Sequence, residues 1–114
     1  MRLNEKQFNN ILKTIRSDNS IRIMNLLSSD RGYTFGELKD MMEYKKKSES
    51  GKFAYYIRRL VSSGIIKQDG KFYLLTRIGL QTVHLLEDFK EICMSFDLSD
   101  CDADGKVQMV VIRK

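Results

Sequence analysis

Residues 33–76, YTFGELKDMMEYKKKSESGKFAYYIRRLVSSGIIKQDGKFYLLT, decide the fold. Thr34 and Glu37 have the T-x-x-E spacing of a capping box, in which each side chain satisfies the other residue's free backbone N–H. They predict a short helix over 35–42, anchored by Leu38, Met41 and Met42. A basic connector follows, Glu43-Tyr44-Lys45-Lys46-Lys47, and then Ser48-Glu49-Ser50, which offers a cap for a helix over 51–63. Gly64 is suited to end that helix, because a glycine accepts the left-handed conformation of a helix terminus. Residues 65–68 and 71–75 read as two short strands joined by a two-residue Asp69-Gly70 turn. A helix pair followed by a hairpin is the element order of a winged helix-turn-helix.

Working outward, Phe8, Ile11, Leu12 and Ile15 recur at i, i+3, i+4 and i+7 and predict a first helix over 4–16. Ser17-Asp18-Asn19-Ser20 interrupts it and caps a second helix reaching residue 28, with Ile23, Met24 and Leu27 on its buried stripe. Thr76 is placed to cap a long last helix to about residue 96. The tail, 106–113, is β-prone, with Val107, Met109, Val110, Val111 and Ile112. The expected fold class is α+β and helix-dominated: a winged helix-turn-helix with a long C-terminal dimerisation helix and a short β-prone tail. One domain would span 1–96, including the dimerisation helix over 76–96, and an acidic turn and tail would fill 97–114.

The 114 residues suit one compact core, and 42% apolar residues fit a globular chain. No apolar run approaches the ~20 residues that cross a bilayer, and the first eleven residues hold no signal-like hydrophobic core. A soluble, cytoplasmic protein with no membrane partner is expected. Cys93 and Cys101 are too few for a disulfide scaffold and lack the neighbours of a zinc site. A pair of ordinary reduced thiols, one buried and one exposed, is favoured over a redox-sensing pair. The net charge of +5 is unevenly spread. Residues 1–76 carry 15 Lys and Arg against 8 Asp and Glu, whereas 77–114 carry 5 against 7. A basic module with an acidic tail suits phosphate neutralisation, although it also fits a merely soluble protein.

Four segments resemble the archaeal ArsR-like winged-helix regulators: Ser20-Ile21-Arg22-Ile23-Met24-Asn25-Leu26-Leu27, Tyr33-Thr34-Phe35-Gly36-Glu37-Leu38, residues 50–60 (SGKFAYYIRRL) and residues 69–79 (DGKFYLLTRIG). The resemblance covers about residues 10–85. It implies binding of double-stranded DNA, with the helix over 50–63 in the major groove and the hairpin as the wing. Metal-sensing members carry a cysteine pair on the helix after the capping box. Here that stretch reads Glu37, Leu38, Lys39 and Asp40, so that metal site is absent, and no cofactor is expected.

Sorted at 100° per residue, Phe53, Ile57, Leu60 and Val61 of the fourth helix cluster on one side, while Lys52, Tyr55, Arg58, Arg59 and Ser62 project the other way. Arg and Lys reach guanine edges or phosphates, and Tyr and Ser bond phosphate oxygens. With Ser50 at the helix start, this face is the candidate DNA-reading surface; an ordinary solvated helix face is the alternative. Lys45, Lys46 and Lys47 would lie beside the DNA backbone, though a charge run is usually just solvated. Lys67 and Lys71 flank the hairpin turn, where contact with DNA and protection of a sheet edge explain lysine equally well.

In the last helix Ile78, Thr82, Leu85, Phe89, Ile92 and Phe96 recur at spacings of 4, 3, 4, 3 and 4, a heptad-like seam suited to a second copy of the chain. His84 is the sole histidine, and no nucleophile–base set or phosphate loop accompanies it, which argues against an enzyme. Asp100, Asp102, Asp104 and Gly105 fit the first half of a calcium loop, but Val111 stands where the bidentate Glu belongs. An Asp-rich turn is the favoured reading there. The function expected is regulation of transcription by a homodimer on duplex DNA. The runner-up is a winged-helix module that binds protein partners in a larger assembly.

Overall fold

The computed structural model describes residues 2–29, 31–44, 46–97 and 99. The chain divides into two units, the first of residues 1–84 and the second beginning at Leu85. The fold is α+β and helix-dominated, with five α-helices and a small antiparallel sheet among the described residues. Lys45, Cys101, the Asp100–Gly105 turn and the β-prone tail fall outside them.

Helix α1 (Glu5–Ile15) starts from a capping box that sequence reading passed over. Asn4 Oδ1 accepts from the Gln7 amide at 2.9 Å, and Gln7 Oε1 accepts from the Asn4 amide at 2.7 Å. Its buried line is Ile11 and Thr14, not the expected set, for Phe8 and Leu12 are exposed. A threonine can join that line because its hydroxyl donates to the Asn10 carbonyl, which leaves no polar atom unpaired. Helix α2 (Asp18–Leu26) is capped by Ser17 and buries Ile23 and Met24 completely.

Strand β1 (Tyr33–Thr34) leads directly into α3 (Phe35–Met41). The Thr34–Glu37 capping box forms as expected, with bonds of 3.1 and 2.9 Å. The Thr34 amide holds the Glu37 carboxyl below its ordinary value, and Arg31, paired to it at 3.0 Å, adds to the effect. Leu38 and Met42 are buried as expected, but Met41 is exposed. Glu43 ends α3 at a φ of 65°, its amide donating to Asp40 and that of Tyr44 to Lys39. This left-handed stop turns Tyr44 back toward the core.

A single 3-10 turn (Lys47–Glu49) precedes α4 (Ser50–Ser62). Phe53, Ile57 and Leu60 are its buried residues. Val61, expected beside them, is exposed, because the contacting face of α4 centres on Phe53 and Leu60 and turns Val61 out to one flank. Gly64, at a φ of 84°, stops α4 with its amide on Val61 and that of Ile65 on Leu60. Strands β2 (Ile66–Asp69) and β3 (Phe72–Leu75) pair from Ile66–Leu75 to Asp69–Phe72. The loop residues are therefore Gly70 and Lys71, one position later than the expected Asp69-Gly70 turn. Gly70 takes a φ of 63° at the first loop position, where a tight hairpin requires it. Strand β1 adds to β3, in the order β1-β3-β2; two residues are too few to display a strand's alternation in sequence.

Helix α5 (Arg77–Met94) begins where Thr76 accepts from the Gly79 amide at 3.1 Å. Thr76 also donates to the corner after α4, 3.0 Å from the Ile65 carbonyl oxygen. This places Gly79 so close to the backbone of Ile65 that an added Cβ would collide with that carbonyl oxygen. Gly79→Ala is expected to destabilise the chain by roughly 1–3 kcal/mol, the cost of overpacking against a backbone that cannot yield freely. Urea unfolding of the two proteins side by side measures it. Thr82 is only 7% exposed, and its hydroxyl bonds to the Ile78 carbonyl at 2.7 Å. It therefore belongs to the chain's own core and leaves the expected partner-facing seam. Further along α5, Leu85, Phe89 and Ile92 are exposed, as is Phe96 beyond the helix end.

Candidate nucleic-acid interface

Helix α4 is held by the aromatic packing beneath it. Phe53, fully buried, meets the Phe35 ring edge-on at 5.1 Å and the Tyr44 ring at 5.5 Å. These contacts fix α4 against α3 and against the connector before it. With that side fastened, the opposite side of the helix is committed to solvent.

On that solvent side Lys52, Tyr55, Arg58 and Ser62 are exposed. Ser50 at the first turn is half-buried. Lys46 and Lys47, immediately before α4, are exposed, as are Lys67 on β2 and Lys71 in the hairpin loop. Arg31–Glu37 is the one salt bridge found among the described residues, so none of these cations is neutralised by a carboxylate there. Lys71 instead lies with its ammonium 5.5 Å from the centre of the Phe72 ring. The hairpin thus shows a cation held on an exposed aromatic at its tip.

Arg59 behaves differently from its neighbours. It is half-buried, and its Nη1 donates to the Tyr55 hydroxyl at 3.3 Å. Its guanidinium lies 5.9 Å from the centre of the Tyr55 ring, which in turn packs edge-on against Tyr56 at 5.7 Å. Arg59 therefore leans from the outward face toward α1, where it lines a cleft of about 240 Å³ with Lys13, Arg16, Ser17, Tyr55 and Tyr56. Lys13 and Arg16 were not singled out from sequence. On α1 they read as ordinary polar-face residues, and only the packing of α1 beside α4 brings them to Arg59.

Comparison with protein-family models, curated proteins and solved structures found no match. Among the described residues no group of three His, Cys, Asp or Glu side chains is placed to hold a metal ion, and no helix is long and apolar enough to cross a membrane. Cys93 is an exposed free thiol. What the surface of α4 offers is a set of hydrogen-bond donors and positive charges on one rigid helix. Such a helix can lie in a duplex groove and present its donors to phosphate oxygens and base edges.

Proposed function

We propose that this chain is a winged helix-turn-helix protein that binds duplex DNA with sequence preference and regulates transcription as a homodimer. In this reading it works by binding and carries out no catalysis. One observation carries it: α4 buries Phe53, Ile57 and Leu60 while exposing Lys52, Tyr55, Arg58 and Ser62, with no carboxylate among the described residues paired to the cations. Helix α4 is the recognition helix, α3 the helix that precedes it, and the β2–β3 hairpin the wing. Lys46 and Lys47 at one end of α4, with Lys67 and Lys71 on the wing, fix the protein on phosphates. Lys52 and Arg58 read base edges, since arginine and lysine donate to guanine and a fixed helix holds them in register.

The apolar residues exposed on α5 support the homodimer. Phe89 is 60% exposed, and Leu85 and Ile92 lie one helical turn to either side of it. Exposed apolar patches of this kind mark interaction surfaces. They equally suit a different protein partner, which is the second reading of the molecule.

Fluorescence anisotropy with duplexes selected from a random pool, across a salt series, tests the proposal. The expected result is a preferred site bound at least ~10³-fold more tightly than random duplex, with affinity falling steeply as salt rises. Binding without preference, or none, would favour the protein-interaction module. In sedimentation at micromolar concentration the wild type is expected to be a dimer and Phe89→Glu a monomer, since a charge in a buried seam lacks a partner. A monomeric wild type would remove the homodimer.

A further inference from the structure

We infer that the cleft between the α1–α2 corner and α4 is a phosphate-binding subsite. Three cations, Lys13, Arg16 and Arg59, line one concavity of about 240 Å³, a size suited to a small anion and not to a drug-sized ligand. Among the described residues no carboxylate lines the cleft, and none of the three cations is in a salt bridge. Asp18, the nearest acidic residue in sequence, is not part of its wall. Like charges gathered without a counter-ion repel, and an anion seated among them removes that repulsion.

The chemistry of the wall suits a phosphate oxyanion and not an apolar ligand. Arg59 is held in place by the Tyr55 hydroxyl and ring. Because that hydroxyl accepts from Arg59, its own O–H is free to donate into the cleft. Ser17 accepts from the Ser20 amide through its hydroxyl oxygen, which fixes the corner that carries Arg16 and leaves another O–H donor at the wall. Arginine forks and a lysine point charge are the side chains that pair with phosphate oxygens.

The phosphate can be free in solution or belong to the DNA backbone beside α4; the second source rests on the duplex-binding reading proposed above. Two measurements on the full chain separate these. In the first, inorganic phosphate replaces chloride at constant ionic strength while amide NMR shifts are followed. Saturable shifts confined to residues 13–20 and 55–59, and weakened about tenfold in Arg16→Gln, are expected. In the second, duplex affinity is measured across a salt series. Arg16→Gln or Lys13→Gln should lower the salt slope by about one unit and weaken preferred and random duplexes alike. Both side chains are exposed, so neither variant should disturb the fold.

Saturation by phosphate without any change in duplex binding identifies free phosphate as the ligand. A changed salt slope, with or without phosphate saturation, identifies the DNA backbone. A wild type that takes phosphate but no duplex overturns the duplex-binding reading and leaves the subsite standing. Diffuse, unsaturable shifts together with an unchanged salt slope overturn the subsite, whether or not the protein binds DNA.

Discussion

Phe53→Ala is expected to cost about 3–5 kcal/mol of folding stability, the range for removing a buried phenyl ring from a core. The ring is fully buried and touches the rings of both Phe35 and Tyr44, so its loss opens a cavity and abolishes two aromatic contacts. A domain of this size is stable by only about 5–15 kcal/mol, so the variant should lie close to unfolding at physiological temperature. Phe53→Leu keeps most of the volume and should lose considerably less. The midpoints of urea unfolding give both values. A loss below about 1 kcal/mol for Phe53→Ala would mean that α4 is not held by this aromatic cluster. The two variants also separate stability from recognition. Phe53→Leu leaves the exposed side of α4 intact, so its duplex affinity should stay near that of the wild type.

The second large effect is expected on DNA. If α4 reads bases as proposed, Arg58→Ala should cost ~1–3 kcal/mol at the preferred site and relax the base preference at one position, the effect of removing a bidentate contact to guanine. Combined with Lys52→Ala, the loss should approach the level of random duplex. Lys46→Ala and Lys47→Ala should behave otherwise, weakening all sequences similarly and flattening the salt dependence by about one unit each. The difference follows from their positions: Lys52 and Arg58 are exposed on α4 itself, whereas Lys46 and Lys47 precede it. Anisotropy titrations on preferred and random duplexes distinguish the two patterns. If Lys52→Ala/Arg58→Ala weakens both duplexes equally, α4 contacts only the backbone, and the base-reading role falls.

Much of the architecture could be read directly from residue order. The Thr34–Glu37 box, the Ser17 and Thr76 caps, and Gly64 are local devices whose effect depends on neighbours a few residues away. Such interactions are legible because the chain itself brings their partners together. The same holds for the separation of Phe53, Ile57 and Leu60 from Lys52, Tyr55 and Arg58, which helical periodicity alone enforces.

What periodicity could not decide was which part of each apolar stripe meets another element. Phe8, Leu12, Met41 and Val61 all sit on plausible buried faces, yet each is exposed, and Thr14 and Thr82 are buried in their stead. A helix pattern specifies an angle about its own axis, whereas burial depends on where the neighbouring helix lies. The two-residue strand β1 is likewise created by its partner β3, because so short a segment has no periodicity of its own. The cleft of Lys13, Arg16 and Arg59 joins residues more than forty positions apart. Composition and order determined that this chain would be basic and helical, with a hairpin followed by a long helix. Only the packing of α1 beside α4 decided that three of its cations would share one cleft, since like charges are drawn together by the burial of other side chains and never by their own attraction.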